Sequence, residues 1–108
     1  MLVVISPAKR LDWAVTDIAG TRPDFTREAG ILAGHARQLG VADLKSLMKL
    51  SDNLAKLNRD RFRDFSDNPE SEVLRPAALA FAGDTYVGLD ARSLDKDDLD
   101  WAQDHLRI

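Results

Sequence analysis

The chain has 108 residues, enough for one ordinary domain with a modest core, and it is 44% hydrophobic and 31% charged, as globular proteins are. Its formal net charge is −3, so a nucleic-acid surface would have to be a local concentration of cations. It contains no cysteine, which excludes a disulfide framework, a thiolate metal site and a cysteine nucleophile.

The apolar run Leu2-Val3-Val4-Ile5 predicts a strand over residues 2–5, covered on both faces because polar alternation is missing. Ser6-Pro7 ends it, since proline has no N–H and fixes its own φ. Lys9 then falls just past the carboxyl end of a strand, a usual place for ligand contacts in α/β sheets. The plainer alternative is a solvated Lys9-Arg10 pair. The start does not read as a signal peptide, and no apolar stretch has the length of a membrane span. The expected location is cytoplasmic.

Residues 12–22 carry Gly20 and read as a loop, and Arg22-Pro23-Asp24 predicts the start of a helix. Phe25, Leu32, Ala36 and Leu39 give its apolar stripe and Gly40 its stop; His35, beside the stripe, reads as a partly buried structural residue. Asp43 predicts the cap of a short second helix bearing Leu44, Leu47 and Met48. Ser51 predicts the N-cap of a third, with Leu54, Leu57, Arg61, Phe62 and Phe65 on its stripe and Asp67-Asn68-Pro69 as its break.

The apolar run Ala77 to Ala82 predicts a buried strand over 78–82 in the same sheet as residues 2–5, although its alanines make a helix a competitor. Tyr86, Val87 and Leu89 suit a short helical or turn segment. Asp95 and Asp98 suit the first turn of a last helix, which would bury Leu99, Ala102 and Leu106. Strands alternating with helices give a mixed α+β fold.

The central segment carries the most concrete chemistry. Leu44, Leu47, Leu50 and Ala55 fall at spacings similar to a helix-hairpin-helix motif, which sets hairpin N–H groups and a helix N-terminus against a DNA phosphate. Leu47, Leu50, Leu54 and Ala55 should lie inside, with Lys45, Lys49, Lys56 and Arg59 at least partly exposed. Lys49 and Ser51 stand where such hairpins usually carry glycines. The alternative is two ordinary packed helices whose cations are diluted by Asp43, Asp52, Asp60 and Asp64.

Lys9 and Asp84 each follow a predicted strand and are expected on one side of the fold, within reach of a common anion or of each other. Structural pairing is the favoured use, because no His, Cys or activated Ser joins them. The acidic tail, Asp95, Asp97, Asp98, Asp100 and Asp104, lacks the glycine turn and terminal Glu of a calcium loop and reads as a solvated helix face. No metal site or cofactor is expected.

Four segments together resemble the YaaA family of bacterial peroxide stress proteins. They are Val3-Val4-Ile5-Ser6-Pro7-Ala8-Lys9, Leu47-Met48-Lys49-Leu50-Ser51-Asp52-Asn53-Leu54-Ala55, Ala80-Phe81-Ala82-Gly83-Asp84-Thr85-Tyr86-Val87-Gly88-Leu89, and Asp100-Trp101-Ala102-Gln103-Asp104-His105-Leu106-Arg107. The resemblance implies a DNA-binding protein of the hydrogen peroxide response that limits peroxide- and iron-mediated DNA damage. It implies a helix-hairpin-helix element over residues 43–64, with Lys45, Lys49, Ser51, Lys56 and Arg59 as DNA contacts. Family members are longer and continue into a Ser-Gly-Leu-Tyr-Gly segment, so residues 1–108 read as the N-terminal portion of a single larger domain. The competing readings are a small-anion binder or enzyme using Lys9 and Asp84, and a truncated inactive product. The lack of a nucleophile–base pair favours a non-enzymatic role.

Overall fold

Helix capping governs the middle of the chain, and short strand pairs govern its two ends. The computed structural model describes residues 1–70 and 73–108, which divide into two units: Arg22–Val73, and Met1–Thr21 together with Leu74–Ile108.

The central unit holds α1 (Thr26–Ala36), α2 (Val41–Met48) and α3 (Asp52–Asp64). Helix α1 begins after Pro23, with the Thr26 hydroxyl donating to the Pro23 carbonyl at 3.2 Å. It ends at Ala36, so Gly40 is not its stop. Gly40 is instead the N-cap of α2, in extended backbone at φ −75 and ψ 172, and its N–H donates to Asp43 Oδ2 at 2.9 Å. Asp43 therefore caps from the third helical position, where a carboxylate also faces the positive helix end.

What these helices bury differs from the expected stripes. Ala33, Leu44 and Ala55 are buried, whereas Phe25 and Leu32 are 74% and 69% exposed. The buried face of α1 thus centres on Ala33, one residue from Leu32 and so about 100° round the helix. His35, expected partly buried, is exposed. Arg37 ties α1 to the end of α3: its Nε donates to the Phe62 carbonyl at 2.8 Å, and Nη2 to that of Phe65. Carbonyls at a helix C-terminus have no intrahelical partner, and Arg37 supplies one.

The other unit pairs β1 (Val3–Val4) in parallel with β4 (Leu106–Arg107), Val3 opposite Leu106. Separately, β2 (Arg10–Leu11) runs antiparallel to β3 (Phe81–Ala82), Arg10 opposite Ala82. Helices α4 (Ala77–Ala80), α5 (Asp84–Leu89) and α6 (Lys96–His105) and a 3-10 turn at Ala91–Ser93 complete it.

Two expectations are corrected here. Residues 2–5 and 78–82 do not share a sheet, and β1 is exposed, not covered on both faces, with Val4 at 72%. Ala77 to Ala80 form a helical turn, the outcome alanine favours over strand, and the Pro76 carbonyl accepts from the Leu79 and Ala80 N–H groups at 3.0 and 2.9 Å. Leu106 leaves the last helix and becomes a strand residue, while Asp95 and Asp98 cap α6 reciprocally as expected. The buried residues of this unit are Leu79, Ala80, Tyr86 and Ala91.

Candidate functional site

Helices α2 and α3 are joined by three residues, Lys49-Leu50-Ser51. Lys49 closes α2 in the left-handed conformation, φ 54 and ψ 49, where glycine is the usual occupant. The Lys45 carbonyl accepts the N–H groups of both Lys49 and Leu50, the latter at 3.1 Å, which satisfies the end of α2. Those two N–H groups are therefore not free to meet a ligand, contrary to the simplest reading of the hairpin. Ser51 then starts α3 as its N-cap, its Oγ accepting from the Leu54 N–H at 3.4 Å.

The packing of the pair rests on Leu44 and Ala55, 1% and 0% exposed. Ala55 is the small residue that lets the helices close on one another, as its spacing predicts. Leu47 and Leu54, expected inside, are 71% and 47% exposed, and Leu50 is half-buried. Leu44 is the buried residue of α2.

The cations of the hairpin are exposed, as the sequence indicates, but they are not equivalent. Lys45 Nζ stands 2.8 Å from Asp52 Oδ1 across the turn. Arg59 pairs with Asp60 at 3.0 Å, and Arg63 with Asp60 and Asp64 at 3.5 and 3.1 Å. Among the described residues, Lys49 and Lys56 make no ion pair. The Lys45 ammonium, through its hydrogen bond and its charge, holds the Asp52 carboxyl below the usual range, and Lys56 adds to the effect. Asp52, the first residue of α3, thus feels two lysines, Lys45 in contact and Lys56 through its charge. Its sequence signal is a lysine one turn before the hairpin and an aspartate directly after the serine cap.

At the other candidate site, β2 and β3 are in antiparallel register at Arg10 and Ala82. Lys9 directly precedes β2, and Gly83-Asp84 directly follow β3, so both named residues flank the end of the ribbon where Arg10 faces Ala82. Both are exposed, and among the described residues they form no ion pair with each other. Gly83 has φ 133 and ψ 178, a conformation side-chain-bearing residues rarely adopt, and it redirects β3 into α5. Tyr86 on α5 is buried, and its hydroxyl donates to the Ser6 carbonyl at 2.5 Å. Its ring lies 5.5 Å from that of Phe81.

No three His, Cys, Asp or Glu side chains converge on a possible metal position among the described residues. His105 Nδ1 faces the Trp101 carbonyl at 2.8 Å, and its ring stacks on Trp101 at 4.0 Å. No helix of the described residues is long and apolar enough to cross a membrane.

The fold and this geometry define a mixed α+β protein with a lysine-bearing helical hairpin. The sequence model of the family described as "Peroxide stress protein YaaA" matches residues 1–108, and the chain belongs to that family. It is 67% identical to a UPF0246 protein of Ruegeria pomeroyi over 108 residues, covering 100% of this chain and 42% of the relative. A UPF0246 protein of Jannaschia is 63% identical over 108 residues, and one of Caulobacter vibrioides 51% over 110, with 41% and 42% of those relatives covered and all of this chain. The chain spans about two fifths of the length of these curated relatives.

Proposed function

We propose that this is a cytoplasmic DNA-binding protein of the peroxide stress response, and that residues 43–64 meet the DNA backbone as a helix-hairpin-helix element. The family membership supports the link to peroxide stress. The observation that carries the DNA reading is the placement of Lys49 and Lys56, exposed and in no ion pair among the described residues, on either side of the Ser51 cap.

In this reading Lys49, held left-handed in the hairpin turn and exposed, meets a phosphate with its ammonium. The first N–H groups of α3, left without intrahelical partners by helix geometry, present a positive dipole end between the two lysines. Ser51 caps that end by taking the Leu54 N–H on its own oxygen, which leaves the N–H groups before Leu54 for a phosphate. Arg59 contributes through the face of α3 after parting from Asp60. Contacts of this kind fix the protein on phosphates and carry no base sequence. The overall charge of −3 restricts the DNA surface to this local patch.

Charge reversal tests the reading. Lys49→Glu should abolish measurable binding to a labelled duplex in fluorescence anisotropy, irrespective of the duplex sequence. Undiminished binding by that variant would make the hairpin a scaffold.

A further inference from the structure

The Lys45–Asp52 pair has a consequence for the same site, and it rests on the DNA-binding reading above. We propose that Asp52 restrains the hairpin: its carboxylate competes with DNA phosphate for Lys45, so that Lys45 contributes little to binding while Asp52 is charged.

Three features of the hairpin lead to this. The two groups are 2.8 Å apart and both exposed, with side chains 51% and 69% accessible, so the pair faces the solvent from which a phosphate would arrive. Asp52 is the first residue of α3, so its charge stands at the helix end that would otherwise face an anion. Lys56 lies one turn further along α3 and also acts on the Asp52 carboxylate. Of the two, Lys45 alone is in ion-pair contact with Asp52, and Lys56 acts on it only through space. An exposed ion pair is weakly held, so a polyanion can break it, but breaking it leaves Asp52 charged beside the phosphate. The pair also spans the turn from α2 to α3, so the restraint is built into the hairpin itself.

The consequence is a coupling between two residues, which generic charge removal would not produce. Neutralising Asp52 frees Lys45 to make one further phosphate contact. In the intact protein, Asp52→Asn should bind duplex DNA about fivefold more tightly at about 100 mM salt, with a salt dependence steeper by about 0.9 in log–log slope. Lys45→Ala should change wild-type affinity by less than about twofold, yet remove most of the gain when placed in the Asp52→Asn background, the non-additivity expected of two groups in contact. Glu28→Gln removes an equal charge from α1 of the same unit and should change affinity by less than about twofold. Circular dichroism melts confirm that each variant is folded.

An equal gain from Glu28→Gln and Asp52→Asn would overturn the proposal, as would a gain that survives Lys45→Ala. In either case, weakening by Lys49→Glu would leave the DNA reading of the hairpin standing. Wild-type protein that does not bind duplex DNA, or Lys49→Glu protein that binds as well as wild type, would overturn that reading and the restraint with it.

Discussion

The hydroxyl of Tyr86 donates to the carbonyl of Ser6 at 2.5 Å, joining α5 to the turn after β1 across 80 positions of sequence. It is the one tyrosine in the chain, and burial pushes its pKa above the ordinary value. A raised pKa favours the protonated form in the folded state, so this contribution is full below the ordinary tyrosine pKa of about 10 and is lost as pH rises through the folded value. Ultraviolet titration of the folded protein reads Tyr86 alone and should show a midpoint above 10, falling to about 10 in denaturant. Tyr86→Phe should lower stability by about 1 kcal/mol by removing the hydrogen bond. A folded-state midpoint at the ordinary value would place the phenol in solvent.

Gly83 turns β3 into α5 at φ 133 and ψ 178, with nothing within 4 Å of where a Cβ would stand. Conformation, not space, therefore demands glycine there. Gly83→Ala should destabilise the protein by about 1–3 kcal/mol, read as a lower midpoint in urea unfolding. A neutral outcome would mean that the backbone can relax out of this conformation.

Much of the helical layout was legible in the sequence because it depends on local chemistry. Ser51, Asp95 and Asp98 cap the helices that their side chains predict. The strands were less legible. Val3 and Val4 form a strand, but its partner is Leu106-Arg107, and pairing over a hundred positions leaves no local signal. The apolar run Ala77 to Ala82 split into a helical turn at Ala77–Ala80 and a strand at Phe81–Ala82, because a short apolar run does not distinguish the two states. At the candidate site, exposure of Lys45, Lys49, Lys56 and Arg59 was legible from helical spacing. The loss of Lys45 to Asp52 was not, since it depends on how the two helices close, and that of Arg59 to its neighbour Asp60 was not, since it depends on rotamer choice along α3.

Lys49 holds a left-handed conformation at φ 54 that suits glycine better than lysine. Lys49→Gly should relieve about 1 kcal/mol of backbone strain, set against the entropy glycine gains in the unfolded chain, leaving stability within about 1 kcal/mol of wild type. The same substitution should weaken DNA binding, because it removes the tip ammonium. Equal DNA affinity in the two proteins would assign Lys49 a conformational role alone.

The Lys45 ammonium depresses the Asp52 pKa, so the folded state favours the carboxylate. That contribution is present above the ordinary Asp pKa and is lost as pH falls through the depressed folded value. Carboxyl NMR titration should place the Asp52 midpoint below the ordinary value of about 3.9, and Lys45→Ala should move it up towards that value. An Asp52 midpoint indifferent to Lys45 would show that the ion pair does not persist in solution.

The salt dependence of DNA binding tests the central claim most directly. Each lysine that neutralises a phosphate releases counterions, so its loss flattens the log–log dependence of affinity on salt by about 0.9. Wild type and the Lys49→Ala/Lys56→Ala double variant should be compared on duplexes of unrelated sequence over a salt series. The hairpin reading predicts a slope shallower by about 1.8 in the double variant, with weaker binding to every duplex by a similar factor. A slope and affinity unchanged from wild type would contradict it and leave α2 and α3 as packing elements only.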